Sequence, residues 1–253
     1  MRQRVLAPLT GFPFNSRADR RFIVHCCHHK VGTVWFRNVL GGVGKHFGMA
    51  VHMSPGHTWL PETEIFVQHD AELDLGTLPP FRGSHLVRDP RDVIVSGYFY
   101  HMRCDEPWSK VPDPEFGGLS YQEYLLSLDK EAGIHAEMAG RGGITIQDMA
   151  KWDYARPEIL ELRYEEMLGA EDAQWMRIFR HYGFREKAAQ KAALIARRYS
   201  LERPEYRAWR TKHIRSGQPG DWRNHFSKGH RDAFKEHFPG VLRKLGYERD
   251  DDW

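Results

Sequence analysis

The sequence predicts an α/β fold in three layers: a central, mainly parallel sheet with helices on both faces. Three observations carry that expectation. The 253 residues are 41% hydrophobic and 28% charged, apolar enough to close a substantial core. Residues 21–26 and 83–88 each read as a short buried strand leading through a turn into a helical pattern, and that repeated grammar belongs to a parallel sheet. Compact α/β domains reach about 250 residues, so residues 1–253 are expected to form one domain, with 1–20 as an irregular arm broken by Pro8, Gly11 and Pro13.

The elements follow in order. After the first strand and a loop, Val34/Trp35 and Asn38/Val39 fall at helical spacing, and Gly41-Gly42 is expected to stop that helix. Residues 64–69 read as a further strand. Residues 83–88 are followed by Asp89-Pro90, a cap and first turn for a helix through Ser96. Ser120 and Glu123 form a capping box that opens a helix over 121–129. Residues 157–164 show strand periodicity, and 174–182 and 187–199 are amphipathic helices. Segments 103–118 and 203–229, rich in Pro, Gly and charge, are expected to be long loops of the kind that serve function.

Composition narrows the partners. No apolar run approaches the ~18 residues of a membrane span, and the opening residues lack the pattern of a secretion signal, so no stable membrane insertion is expected. The cysteines are Cys26, Cys27 and Cys104; two are adjacent, no disulfide framework follows, and a reducing, cytoplasmic compartment is expected. The net charge is +3, yet residues 197–231 alone hold ten Lys or Arg against three acids. So local an excess fits one anionic ligand held at one place rather than the broad basic surface of a nucleic-acid binder.

Three clusters can carry chemistry. His28-His29-Lys30-Val31-Gly32-Thr33-Val34-Trp35 lies at a strand-to-helix turn, where Gly frees backbone amides to curl around an anion, the helix N-terminus adds partial positive charge and Lys a full one. It departs from G-x-x-x-x-G-K-[ST], having no earlier Gly and no Ser or Thr directly after the Lys to hold Mg²⁺; by itself it equally fits an ordinary turn with an exposed Lys. Arg88 and Ser96, eight residues apart, either hold one anionic group from two sides, or Arg88 pairs with Asp92 and Ser96 simply packs. Residues 215–226 combine Arg215, two glycines, Pro219, Asp221, Trp222 and Phe226, a mixture suited to a ligand-covering loop.

Taken together, these clusters resemble the sulfotransferases that use 3′-phosphoadenosine 5′-phosphosulfate (PAPS), above all the soluble cytosolic type. His29 to Trp35 is similar to the family's P-K-S-G-T-T-W loop, Arg88 and Ser96 to its 3′-phosphate motif, and Arg215, Gly217, Gly220, Asp221, Trp222, Asn224 and Phe226 to R-K-G-x-x-G-D-W-K-N-x-F. The resemblance implies a P-loop, nucleotide-kinase-like fold and transfer of a sulfuryl group to a hydroxyl of a small-molecule, lipid or glycan acceptor. It implies that Lys30, Gly32, Thr33 and Val34 cradle the phosphosulfate and that Trp35 and Tyr164 take the adenine. It further implies that Arg88, Ser96, Arg215, Ser216 and Gly217 hold the 3′-phosphate, with Lys30 also catalytic. His69 occupies the place of the family's catalytic base in K-T-H, and imidazole is suited to accepting a proton near neutral pH; Asp70 and Glu72 are the next candidates. Val67 and Ser216 stand where the family has Lys, and Gln68 is an alternative donor to the one missing at Val67.

Residues 25–29 offer three His and two Cys, but side chains alternate along a strand and cannot converge on one tetrahedral centre, so no metal is expected. Trp108, Phe116, Tyr121 and Tyr124 either line an acceptor pocket or pack. The family's C-terminal dimer motif is not recognisable after Phe226, which leaves oligomeric state open. Two rival readings are a nucleotide-dependent phosphotransferase on a related scaffold and a non-catalytic polyanion-binding module.

Overall fold

The computed structural model of the chain describes residues 12–16, 19–54, 58–69, 71, 73–205 and 215–253. Most of the expected N-terminal arm and residues 206–214 of the expected second loop lie outside them. In chain order the elements are β1 (Phe22–Cys27), α1 (Thr33–Phe47), β2 (Val51–Ser54), β3 (Ile65–Gln68), β4 (Phe81–Val87), α2 (Pro90–His101), α3 (Tyr121–Ser127), α4 (Lys130–Ala139), α5 (Arg141–Lys151), β5 (Ile159–Arg163), α6 (Tyr164–Met167), α7 (Glu171–His181), α8 (Glu186–Ala196), α9 (Lys228–His237) and α10 (Val241–Lys244). They form two compact units: residues 1–28, 32–87 and 153–206, and residues 29–31, 88–152 and 207–253.

The first unit holds a five-stranded sheet in the order β2-β3-β1-β4-β5. Every pairing is parallel, with Val24 beside both Phe66 of β3 and Gly83 of β4. β1 and β3 are buried along their whole length, as mostly apolar strands in a covered parallel sheet are, with His25 and Gln68 as their buried polar members. Their bounds and those of β4 and β5 lie within two residues of the expectation. β2 carries no such signal: VHMS is a half-buried edge strand that pairs only with β3.

Helix α1 overrides the expected stop at Gly41-Gly42 and runs on to Phe47. The glycines serve packing. A Cβ on Gly42 would lie 2.9 Å from the Tyr199 ring and 3.2 Å from Ile195, and one on Gly44 only 2.1 Å from Val51. Trp35 and Phe36 of α1 meet Trp175 of α7 at the centre of this unit. The helix expected over 187–199 is α8, which tightens after Ala196 into a 3₁₀ turn at Arg197–Tyr199.

In the second unit, α2 opens as expected: the Asp89 side chain accepts from the Arg91 amide ahead of Pro90. The Ser120/Glu123 capping box is formed, and α3 ends at Ser127. Segment 103–118 is less irregular than expected, holding 3₁₀ turns at Pro107–Lys110 and Pro114–Phe116. Helices α4 and α5, which the sequence reading did not place, hold glycines where their turns touch: a Cβ on Gly143 would lie 2.1 Å from the Met138 carbonyl.

A polar chain runs through the first unit's core. His25 Nδ1 lies 2.8 Å from Ser84 Oγ, which lies 2.6 Å from the Tyr182 hydroxyl, all buried. Ser84→Ala leaves two buried polar groups facing each other unbridged, and unfolding by denaturant should show a loss of about 1–3 kcal/mol. Tyr182→Phe should cost less, because Ser84 still satisfies His25; an unchanged midpoint in Ser84→Ala would show that the bridge contributes nothing.

Candidate active site

The first unit supplies an anion-ready helix end. Gly32 precedes α1 at φ 130°, a conformation closed to side chains, and a Cβ there would meet Leu86 at 3.1 Å. Helix α1 begins without a side-chain cap and without an acid in its first turn. The Trp35 and Phe36 amides bond back to the Gly32 carbonyl at 3.0 and 3.2 Å. Thr33 and Val34 thus bring the first amides of a 15-residue helix, where the dipole is positive. The Thr33 hydroxyl donates to the His28 carbonyl at 3.4 Å, which pins the turn.

Trp35 is buried, edge-on to Tyr164 (ring centroids 6.2 Å) and to Trp175 (5.6 Å). Its indole N–H has no hydrogen-bond partner among the described residues. His69 follows β3 directly and is half-buried, while Val67 and Gln68 are fully buried within the strand. Asp70 and Glu72 lie outside the described residues. A second histidine chain runs from His28 Nε2 to His85 Nε2 (2.8 Å) and from His85 Nδ1 to Glu161 (2.7 Å). Burial holds His28 well below the usual histidine range and pushes His85 down to about 3, so both rings are neutral near pH 7.

The second unit, by itself, brings Lys30 and Arg88 together. Lys30 has a left-handed backbone, φ 62°, and its ammonium sits 3.4 Å above the Tyr100 ring. Desolvation, then the Arg88 charge, push Lys30 down to about 7 against the pull of Glu106 and Glu137. Arg88, 7% exposed, donates through Nη1 to the Lys30 carbonyl at 3.3 Å.

Between the two sequence readings of Arg88, the geometry draws a finer line. Asp92 is 4.0 Å from Arg88, but its oxygens accept from the Gly220 amide at 2.7 Å and the Trp222 amide at 2.8 Å. The main partner of this buried carboxylate is therefore the Gly220-Asp221-Trp222 turn. Sequence reasoning saw Asp92 only as a possible partner of Arg88; its amide contacts span more than 120 residues of chain. Ser96 is half-buried on α2. Arg215 donates to Asp221 and lies over the Phe99 ring at 4.3 Å, with Ser216 and Gly217 (φ 67°) next in the chain. Burial raises the Asp221 carboxyl, and hydrogen bonds from Asn224 and Arg215 more than offset it, leaving it below the usual range.

Two further groups went unseen in the sequence. His29 Nε2 lies 3.0 Å from His101 Nε2, and His101 Nδ1 lies 2.9 Å from Glu137 Oε2, which also accepts from the Tyr121 hydroxyl at 2.8 Å. Trp108 and Tyr121 pack against His101, and Phe116 and Tyr124 extend the aromatic cluster. The available signal was glycine inside helices: a Cβ on Gly97 would lie 2.3 Å from Glu137 Oε1, and one on Gly142 3.0 Å from it. Glu131, His135 and His230 bring ligand atoms within 4.8 Å of one another. His230, however, accepts the Ser227 amide at Nδ1 (3.0 Å) and meets the Glu131 carbonyl at Nε2 (2.9 Å), so one nitrogen caps the start of α9 and the other ties it to α4.

Comparison with known proteins follows the same line. The profile of the family described as "Sulfotransferase domain" matches residues 84–246, more than half of the chain. Human Sulfotransferase 2A1 is 26% identical over 217 residues, covering 76% of this chain and 70% of that one. Among solved structures, mouse sulfotransferase SULT7A1 complexed with PAP is similar with TM-score 0.54 and 18% identity, covering 93% of this chain and 88% of that one. Retinol dehydratase in complex with androsterone and inactive cofactor PAP has TM-score 0.53 and 17% identity, with 88% and 81% covered.

Two outcomes check this geometry. At about pH 8 a limiting dose of acetic anhydride should acetylate Lys30 ahead of the other lysines, with a labelling midpoint near 7; a midpoint in the usual lysine range near 10.4 would contradict its desolvation. Asp92→Ala should speed hydrogen exchange at the Gly220 and Trp222 amides and lower stability by about 1–3 kcal/mol, since two buried donors lose their acceptor. Unchanged exchange at both amides would contradict the anchor.

Proposed function

The chain belongs to the sulfotransferase family, and on that premise we propose that it moves a sulfuryl group from PAPS to a hydroxylated acceptor. The observation that carries the reading is Lys30: a left-handed residue whose desolvated ammonium stands beside Arg88, which in turn binds the Lys30 carbonyl. Arg88 stands 4.0 Å from Asp92, a carboxylate already taken up by the Gly220 and Trp222 amides, and two such adjacent cations favour an anion beside them. When bound, PAPS supplies the sulfuryl group and departs as 3′,5′-adenosine bisphosphate (PAP).

Lys30 meets the negative charge that builds on the bridging oxygen, and Gly32 with the Thr33 and Val34 amides holds the 5′ side. Arg88, Ser96, Arg215, Ser216 and Gly217 bind the 3′-phosphate, and Trp35 and Tyr164 take the adenine. Asp92 keeps the turn after Gly217 in place through its two amide bonds. His69, at the carboxyl edge of β3 where parallel sheets present their ligands, takes the acceptor's proton. The aromatic cluster of Trp108, Phe116, Tyr121 and Tyr124 fits an acceptor with an apolar body. No helix among the described residues is long and apolar enough to cross a membrane. Three buried cysteines without a disulfide fit the reducing, cytoplasmic setting we propose.

Calorimetry should find PAP bound at least about tenfold more tightly than 5′-AMP, since a charge-assisted hydrogen bond to the 3′-phosphate contributes about 1.5–3 kcal/mol. Arg88→Ala should erase most of that preference; equal affinities in the unmutated protein would overturn the reading. The pH dependence has a fixed sign. Lys30 is charged below about 7 and discharges above it, so PAP affinity should fall as pH rises through 7, and Lys30→Met should flatten that fall. For the base, His69→Ala should cut transfer roughly 10²–10⁴-fold with PAP binding intact, and near-normal transfer would remove His69 from the role.

A further inference from the structure

We infer that Arg91 is a positioning residue for the 3′-phosphate site, and that segment 247–253, through Glu248 and Trp253, holds Arg91 in place. The inference rests on the sulfotransferase reading above, because it takes Arg215, Ser216 and Gly217 to bind that phosphate.

Arg91 is a cation with almost no access to water, 1% exposed. Its Nε and Nη2 fork onto the two oxygens of Asp89 at 2.9 and 2.8 Å, and Nη1 donates to Glu248 at 2.6 Å. The fork sets the plane of the guanidinium, and the bond to Glu248, 157 positions along the chain, stops it from turning. Aromatic rings close the rest of the shell. The guanidinium carbon lies 4.0 Å from the Trp222 ring centroid and 4.6 Å from that of Trp253, and the two indoles meet edge to face at 5.6 Å. Phe234 of α9 supports Trp253 from a further 5.6 Å contact.

The consequence reaches the phosphate side through Trp222. Arg91 holds its ring, while Asp92, the next residue of α2, accepts its backbone amide at 2.8 Å and that of Gly220 at 2.7 Å. Asp221 lies between those two anchored amides, and its carboxylate accepts from the Arg215 guanidinium. Arg215 also lies over Phe99, on the same helix that carries Arg91, Asp92 and Ser96. The first turn of α2 thus sets where Arg215 stands relative to Arg88, the residue just ahead of that turn.

Segment 247–253 reaches this turn because the chain reverses after α10: Gly246 has φ 70°, and the Tyr247 amide donates to the Leu242 carbonyl at 2.8 Å. Asp89 by itself balances the charge of Arg91 and caps α2. The second carboxylate and the Trp253 indole therefore act on the orientation of Arg91 rather than on its charge.

Hydrogen exchange of the full chain without nucleotide should show the Gly220 and Trp222 amides at least about fivefold faster in Trp253→Ala and in Glu248→Gln, with amides at the centre of β4 unchanged. In calorimetry the same variants should weaken PAP about three- to tenfold and leave 5′-AMP, which lacks the 3′-phosphate, within about twofold. Arg91→Lys keeps the charge but loses the fork, and should show the same selective loss; if it fails to fold, the two segment variants decide the matter. In a protein already carrying Arg215→Ala, Trp253→Ala should weaken PAP by less than about twofold more, because the group being positioned is gone. Unchanged exchange at both amides, equal losses of PAP and 5′-AMP, or additive losses in the double variant would overturn the positioning role. Because the exchange arm needs no nucleotide, a wild-type protein with no preference for PAP would overturn the functional reading while that arm still decides whether segment 247–253 holds the turn.

Discussion

The backbone at Lys30 is the constraint on which the charged cluster of the second unit depends. A non-glycine residue in the left-handed region costs roughly 1–2 kcal/mol, and Lys30 holds it at φ 62°. What offsets the cost is local: Arg88 donates to the Lys30 carbonyl, and the Tyr100 ring receives the ammonium. The conformation keeps the amine out of bulk water beside another cation, and its proton affinity falls accordingly. Two residues on, Gly32 also has positive φ, where the packing of Leu86 and Tyr164 leaves no room for a side chain. The turn is thus shaped by backbone geometry before any ligand arrives.

Buried polar groups form the second theme, and three neighbouring histidines are each joined to their partners in a chain. His25 uses Ser84 and Tyr182, His28 uses His85 and Glu161, and His29 uses His101 and Glu137. A neutral imidazole carries one proton and one lone pair, so a carboxylate at the end of a chain favours a proton on the ring nitrogen that faces it, whereas hydroxyls such as those of Ser84 and Tyr182 serve either tautomer. Only the last of the three pairs an accessible ring with a sealed carboxylate. Asp92 obeys the same economy, with two amides and a distant Arg88 opposing the burial that raises its carboxyl. A carboxylate so placed holds a turn from far along the chain more firmly than neutral acceptors do.

Glycine is where sequence and structure part most visibly. Gly41-Gly42 resembles a helix stop, yet the stop comes at Gly48, the residue with φ 67°. Gly42 and Gly44 lie inside α1 because Tyr199, Ile195 and Val51 press against it. Gly97 and Gly142 likewise sit within helices to leave space for Glu137. A glycine that ends a helix and one that admits a neighbour are identical in one dimension. Only knowledge of the neighbour separates them.

Local chemistry was legible in the sequence. The apolar runs of β1, β3 and β4, the Asp89-Pro90 start of α2 and the Ser120/Glu123 box each depend on residues within a few positions, and each is found. The clusters around Lys30, Arg88 and Arg215 stand out in the sequence for the same reason, since each is a run of neighbouring residues. Strand β2, the Asp92 anchor and the contacts of Glu137 do not. Their energies come from partners 14 to 130 positions away, such as Glu64 accepting the Ala50 amide ahead of β2 or Asp92 accepting the Trp222 amide. Tertiary packing alone decided them, because a buried hydrogen bond has value only once the chain has excluded the water that competes for it.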